Sequence, residues 1–184
     1  RSPRRQRLLR QIGLKFTVRP SDVREDVLDH EPPERNAKRI ALTKARQIAK
    51  GRKSGIVIGA DTIVVLGKKI LGKQRTQAEA RRMLRSLSGR MHTVYTGFAL
   101  IDAPTQKKTV RIEKTKVWFR KLSRREIAEY VASGSPMDKA GAYGIQDDYG
   151  AVFVERVEVC FYNVVGFPLT KFYKTLQEFL HHRR

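Results

Sequence analysis

Asp61 interrupts GIVIGADTIVVL, residues 55–66, an otherwise apolar run rich in β-branched side chains. Such a run predicts a buried strand. A carboxylate placed inside it must either neutralise or find a cation. A side chain that costly to bury is retained for chemistry more often than for packing. The competing reading ends the strand at Gly59 and leaves Asp61 to cap a turn.

Other polar intrusions point the same way. SPRR at 2–5 puts Arg4 and Arg5 in the first turn of a helix, an unfavourable place for cations because the helix N-terminus is already partly positive. A phosphate there would resolve the conflict, with Ser2, free backbone N–H groups and two guanidinium forks converging on its oxygens. The alternative leaves both arginines in solvent. Lys44 falls on the apolar stripe of a helix, four residues after Ile40, where an alanine or leucine would normally pack. Either it meets an anion or it snorkels from the stripe edge. Lys73, in ILGKQ, follows an expected hairpin and could face a cleft, although a glycine–lysine pair alone is a weak signal.

Glu25, in the loop SDVRE, would complete a pair of oxygen donors with Asp61. Two carboxylates sharing a site are how Mg2+ or Mn2+ is commonly held beside substrate phosphates. Most loop glutamates are simply solvated. Residues 134–150, GSPMDKAGAYGIQDDYG, hold four glycines among polar residues. A loop of this kind lets backbone approach a ligand, and Gln146 offers both donor and acceptor to a base edge.

These residues need a scaffold, and local patterns supply one. A helix is expected over 3–12, capped by Ser2 with Pro3 at its first position, then a short strand near Lys15–Arg19. A second helix over 34–50 carries Ala37, Ile40, Ala41, Ala45 and Ile48 on one stripe. TQAE at 76–79 and SRRE at 123–126 are capping boxes that start two further helices. Strands are expected at 91–101 and 108–120, paired through a turn at 103–106, and at 151–159. A last helix from Pro168 should bury Leu169, Phe172, Tyr173, Leu176, Phe179 and Leu180. Helices mixed with hairpin-like strands define an α/β protein with a mixed sheet.

Composition narrows the classes. The 184 residues suffice for one large domain or two lobes sharing a core. One cysteine, Cys160, excludes an internal disulfide and reads as a buried thiol, and four scattered histidines lack zinc spacing. No apolar segment approaches a membrane span and no secretory signal is visible, so a reducing cytoplasm is the expected compartment. The formal net charge of +21 favours polyanions. The basic residues are nevertheless spread along the chain without zinc-finger, RNP-like or basic-zipper patterns, which fits a basic surface that attracts a small phosphorylated substrate. A P-loop NTPase is disfavoured, because no GxxxxGK[ST] segment occurs.

Taken in order, SPRRQRLLRQIGLKF, SDVRE, IALTKA, GADTIVVL, ILGK, SGRMHTVYTGFAL, YVASGSPMDKAGAYGIQ and YNVVGFPL resemble the Maf family of nucleoside triphosphate pyrophosphatases over almost the whole chain. The resemblance implies a single Maf-like domain over 1–184, of an elongated α/β fold related to the inosine-triphosphate pyrophosphatases. Two lobes would flank a central cleft, and a homodimer is the implied assembly. It implies metal-assisted hydrolysis of a nucleoside triphosphate to the monophosphate and pyrophosphate. The family's functional positions fall on Arg4, Arg5, Glu25, Lys44, Asp61, Thr62 and Lys73. The YGIQ form of the late loop is similar to the branch acting on dTTP and UTP, with modified nucleotides as further candidates. Arg4, Thr62 and Gln146 then occupy the specificity positions.

The chain also departs from the family pattern. The resemblance implies a strand and a LAS-type turn just before SPRR, a stretch that falls ahead of Arg1. Gln74 replaces a common proline, Ser135 a glutamate, Val159 a glycine and Phe167 a leucine. In the expected reaction Arg4, Arg5, Lys44 and Lys73 neutralise the triphosphate, Glu25 and Asp61 position the metal, and Asp61 activates water for in-line attack. The rival expectation is a catalytically impaired relative that uses its basic surface to bind nucleic acid nonspecifically or to regulate.

Overall fold

A computed structural model describes residues 2–28, 30–146 and 149–181. The chain forms α1 (Pro3–Gln11), α2 (Pro33–Ala49), β1 (Ile56–Leu66), β2 (Lys69–Leu71), α3 (Gln77–Leu87), β3 (Met91–Asp102), β4 (Lys108–Phe119), α4 (Arg124–Ala132), β5 (Val154–Glu158), α5 (Phe161–Val165) and α6 (Leu169–His181). The strands make one five-stranded sheet in the order β2-β1-β3-β4-β5. This is the expected α/β class. The edge pairs β1–β2 and β4–β5 are antiparallel, and β3 joins β4 through a tight turn in which Asp102 N–H donates to Lys107 O at 2.9 Å. β1 and β3 are neighbours although β2 and α3 lie between them in the chain, so a crossover joins that pair.

Contacts divide the chain into two compact units. The first comprises residues 1–62, 95–113 and 166–184. In it α2 lies unusually close to the strands, because both contact points are glycines. A Cβ at Gly59 would stand 2.3 Å from Ala41 O, and one at Gly97 would stand 2.5 Å from Ala37 O. The alanines of α2 complete this fit, Ala45 and Ala49 packing with Val57, Ala99 and Ile101. Phe98, Phe167 and Phe172 form a second core, with ring centroids 4.8–5.8 Å apart.

The second unit comprises residues 63–94 and 114–165. Its core gathers Leu66, Leu84, Val117, Phe119, Tyr130 and Phe153. Both expected caps are present at its helices. Ser123 Oγ accepts from Glu126 N–H, and the Glu126 carboxylate accepts from Ser123 N–H at 2.9 Å, closing the box. At α3, Thr76 caps as expected, but Glu79 reaches Arg75 N–H at 2.7 Å, one residue beyond the box partner. His92 is buried against Phe119 and Tyr143, its Nε2 lying 2.8 Å from the Tyr143 hydroxyl.

Several local expectations are corrected. Residues 14–20 form no strand, and Val18 is 43% exposed. The last strand is shorter, because 149–153 coil into a 3-10 turn before β5. On α6, Tyr173 and Leu180 are exposed rather than buried, so its apolar face is narrower than the composition implies. Helix α5 was not expected; Asn163 within it donates to Val94 O and Thr115 Oγ1, a buried tether that the surrounding apolar residues hide. Cys160 is half-buried, at the boundary between β5 and α5, rather than buried.

Candidate active site

Packing against glycine determines the geometry of the first unit's polar cluster. Odd-numbered residues of β1 face α2, so Asp61 emerges on the helix side two positions beyond the close contact at Gly59. Lys44, on the same face of α2 as Ala37 and Ala41, meets it. Its Nζ lies 2.8 Å from Asp61 Oδ1 and 2.6 Å from Glu25 Oε1. The Asp61 residue is only 7% exposed; the strand continues through it and the carboxylate finds a cation.

Glu25 arrives from an irregular loop that α2 itself holds. Asn36, fully buried, accepts from Leu28 N–H and donates to Leu28 O, both at 2.9 Å, and donates to Glu31 O at 3.1 Å. Arg39 donates to Asp26 O at 2.9 Å and to Glu31 Oε2 at 3.0 Å, and Gln47 accepts from Asp22 N–H at 3.0 Å. One helix therefore supplies the cation and fixes the loop that brings the second carboxylate. Asn36 is not among the candidate residues that the sequence marks out. Its signal was a polar residue beside Ala37 on an otherwise apolar stripe.

The opposite face of β1 holds Arg5. Its Nε donates to Gly166 O at 2.9 Å, Nη1 to Ala60 O at 2.9 Å and Nη2 to Thr62 Oγ1 at 2.8 Å. Thr62 Oγ1 is also 2.9 Å from Thr96 Oγ1. Burial draws the Arg5 guanidinium below its ordinary value, opposed by the nearby Asp61 and Glu25 carboxylates. Ser2, expected near phosphate, caps α1 by accepting from Arg5 N–H at 3.4 Å. Arg4 is half-buried on the same helix.

Lys73 and Gln146 belong to the second unit. Lys73 is exposed in the loop after β2, and Gln146 is half-buried at the end of the glycine-containing stretch. The structure thus brings Lys44, Glu25 and Asp61 into contact, sets Arg5, Thr62 and Thr96 behind the same strand, and carries Lys73 and Gln146 on another unit. Among the described residues no group of three or more His, Cys, Asp or Glu is gathered as for a metal. Two carboxylate oxygens within 2.8 Å of one cation do suit a hard divalent ion that completes its shell with water and phosphate oxygens.

A helix-backed sheet with a lysine clamped between two acids defines an α/β protein with a polar cluster on the helix side of β1. The chain belongs to the Maf-like protein family, whose pattern it matches over residues 1–179. It is 46% identical over 182 residues to the dTTP/UTP pyrophosphatase of Carboxydothermus hydrogenoformans, covering 97% of this chain and 95% of that protein. It is 49% identical over 170 residues to the dTTP/UTP pyrophosphatase of Moorella thermoacetica, covering 92% and 87%. With that of Thermotoga maritima it shares 47% identity over 179 residues, covering 96% and 85%. The resemblance drawn from the eight sequence blocks is borne out. No helix among the described residues is long and apolar enough to cross a membrane.

Proposed function

We propose that this protein is a cytoplasmic nucleoside triphosphate pyrophosphatase that hydrolyses dTTP or UTP to the monophosphate and pyrophosphate. The observation that carries the reading is the Lys44 ammonium held by Asp61 and Glu25, in a chain whose near full-length relatives are named for this activity. Asp61 accepts a proton from a water molecule as that water's oxygen bonds to the α-phosphorus. The bond from the α-phosphorus to the bridging oxygen breaks, and pyrophosphate leaves with that oxygen. Lys44 and Arg4 offset charge developing on the phosphates.

Glu25 and Asp61 would hold Mg2+ or Mn2+, which supplies Lewis-acid neutralisation of the phosphate oxygens when bound. Lys44 occupies the position between those acids, and its ammonium offsets one of their two negative charges in the free protein. It is therefore a ready donor to phosphate once another cation shares the carboxylates.

A nucleotide panel in 18O-labelled water tests the reading, with products resolved by mass. Label in dTMP or UMP with unlabelled pyrophosphate is the expected result. Release of orthophosphate, or label in pyrophosphate, would refute attack at the α-phosphorus.

A further inference from the structure

An arginine that binds a substrate phosphate presents its fork outward, and Arg5 does not. Three of its five donors go to protein acceptors, and two of these, Ala60 O and Thr62 Oγ1, flank Asp61 in the chain. The third acceptor, Gly166 O, belongs to the segment entering α6, at a backbone φ of +131° that favours glycine. Side chains alternate along a strand, so Thr62 points away from Asp61 and the guanidinium grips β1 from behind. Thr96 on β3, fully buried, extends the grip through Thr62 to the neighbouring strand.

We propose that Arg5 is a positioning residue: with Thr62, Thr96 and Gly166 it forms a clamp behind β1 that fixes the aim of Asp61, and it does not ligate the triphosphate. The functional part of this inference rests on the pyrophosphatase reading, whereas the clamp itself does not. A lysine cannot replace the fork, because a point ammonium reaches such spread planar acceptors poorly. Thr96→Val keeps the side-chain shape, leaves Arg5 untouched and deletes only the hydroxyl at the far end. Burial opposes a charged Arg5, so its hydrogen-bond set must be kept intact in the fold.

The test compares Arg5→Lys and Thr96→Val with the unaltered protein by amide hydrogen exchange, kcat on dTTP and affinity for a non-hydrolysable α,β-imido dTTP. Both variants should exchange the amides of residues 60–62 about tenfold faster. Both should lower kcat by about tenfold or more, with affinity for the analogue changed by less than about threefold. Unchanged exchange at 60–62 would overturn the clamp, as would an Arg5→Lys affinity loss of about tenfold, the mark of a phosphate ligand. If Arg5→Lys fails to fold, Thr96→Val carries the exchange measurement. An unaltered protein inactive on dTTP and UTP would defeat the functional reading, while the exchange result would still decide the clamp.

Discussion

Lys44 and Asp61 form an ion pair of 2.8 Å with 14% and 9% of their side chains exposed. The pair joins α2 to β1 at the point where two alanines of the helix rest on a glycine of the strand. Removing one partner strands the other. Lys44→Met should destabilise the fold by about 2–3 kcal/mol, below the range for a fully buried pair because Glu25 is half exposed. Adding Asp61→Leu to Lys44→Met should restore most of that loss while activity remains absent. Urea unfolding of the single and double variants checks this. A double variant no more stable than the single would contradict it.

Close approach of α2 depends on missing side chains at two strand positions. Gly59→Ala and Gly97→Ala each place a Cβ within 2.5 Å of helix backbone, so the helix must move outward. A loss of about 2–3 kcal/mol is expected for each in denaturant unfolding. Gly72→Ala, where a Cβ meets nothing, should change stability by less than about 1 kcal/mol and serves as the control.

Val159 sits just after β5 at φ +103°, a conformation that a β-branched residue adopts only under strain. The family resemblance pairs this position with glycine, and the backbone explains why. Val159→Gly should stabilise the protein by about 1 kcal/mol, relief of strain exceeding the added freedom of the unfolded chain. The residue is 73% exposed, so little packing is lost. A lower thermal midpoint for the variant would refute the strain.

Burial pushes the His92 imidazole down to about 4. Its folded value lies below its unfolded one, so the unfolded state binds more protons between pH 4 and about 6.5. The resulting stability is complete above about pH 6.5 and declines as pH falls toward 4, by on the order of 3 kcal/mol. His92→Gln, which keeps a polar partner for the Tyr143 hydroxyl without titrating, should flatten the stability curve in that window. An unchanged slope would show that another group is responsible.

The sequence made the centre of the site legible because its polar residues violate apolar patterns. Asp61 breaks a strand and Lys44 breaks a helical stripe, and each violation resolves in the other. Glu25 carries no such conflict. Its place depends on Asn36, Arg39 and Gln47 holding a loop from a distance, which no periodicity records. Arg5 stands out in the sequence by its helix position, yet the direction of its fork depends on Gly166, more than 160 residues away. Gly59 reads in the sequence as a possible strand end until the helix above it is seen. The strand expected near Lys15–Arg19 failed because local propensity cannot supply a sheet partner.

The most direct test of the central claim is pyrophosphate release from dTTP by Asp61→Asn, measured beside the unaltered protein under the same metal. The variant keeps the shape of the side chain, and Lys44 retains Glu25. We expect a rate at least about 100-fold lower with the thermal midpoint within a few degrees. A folded variant that releases pyrophosphate at close to the original rate would contradict the account.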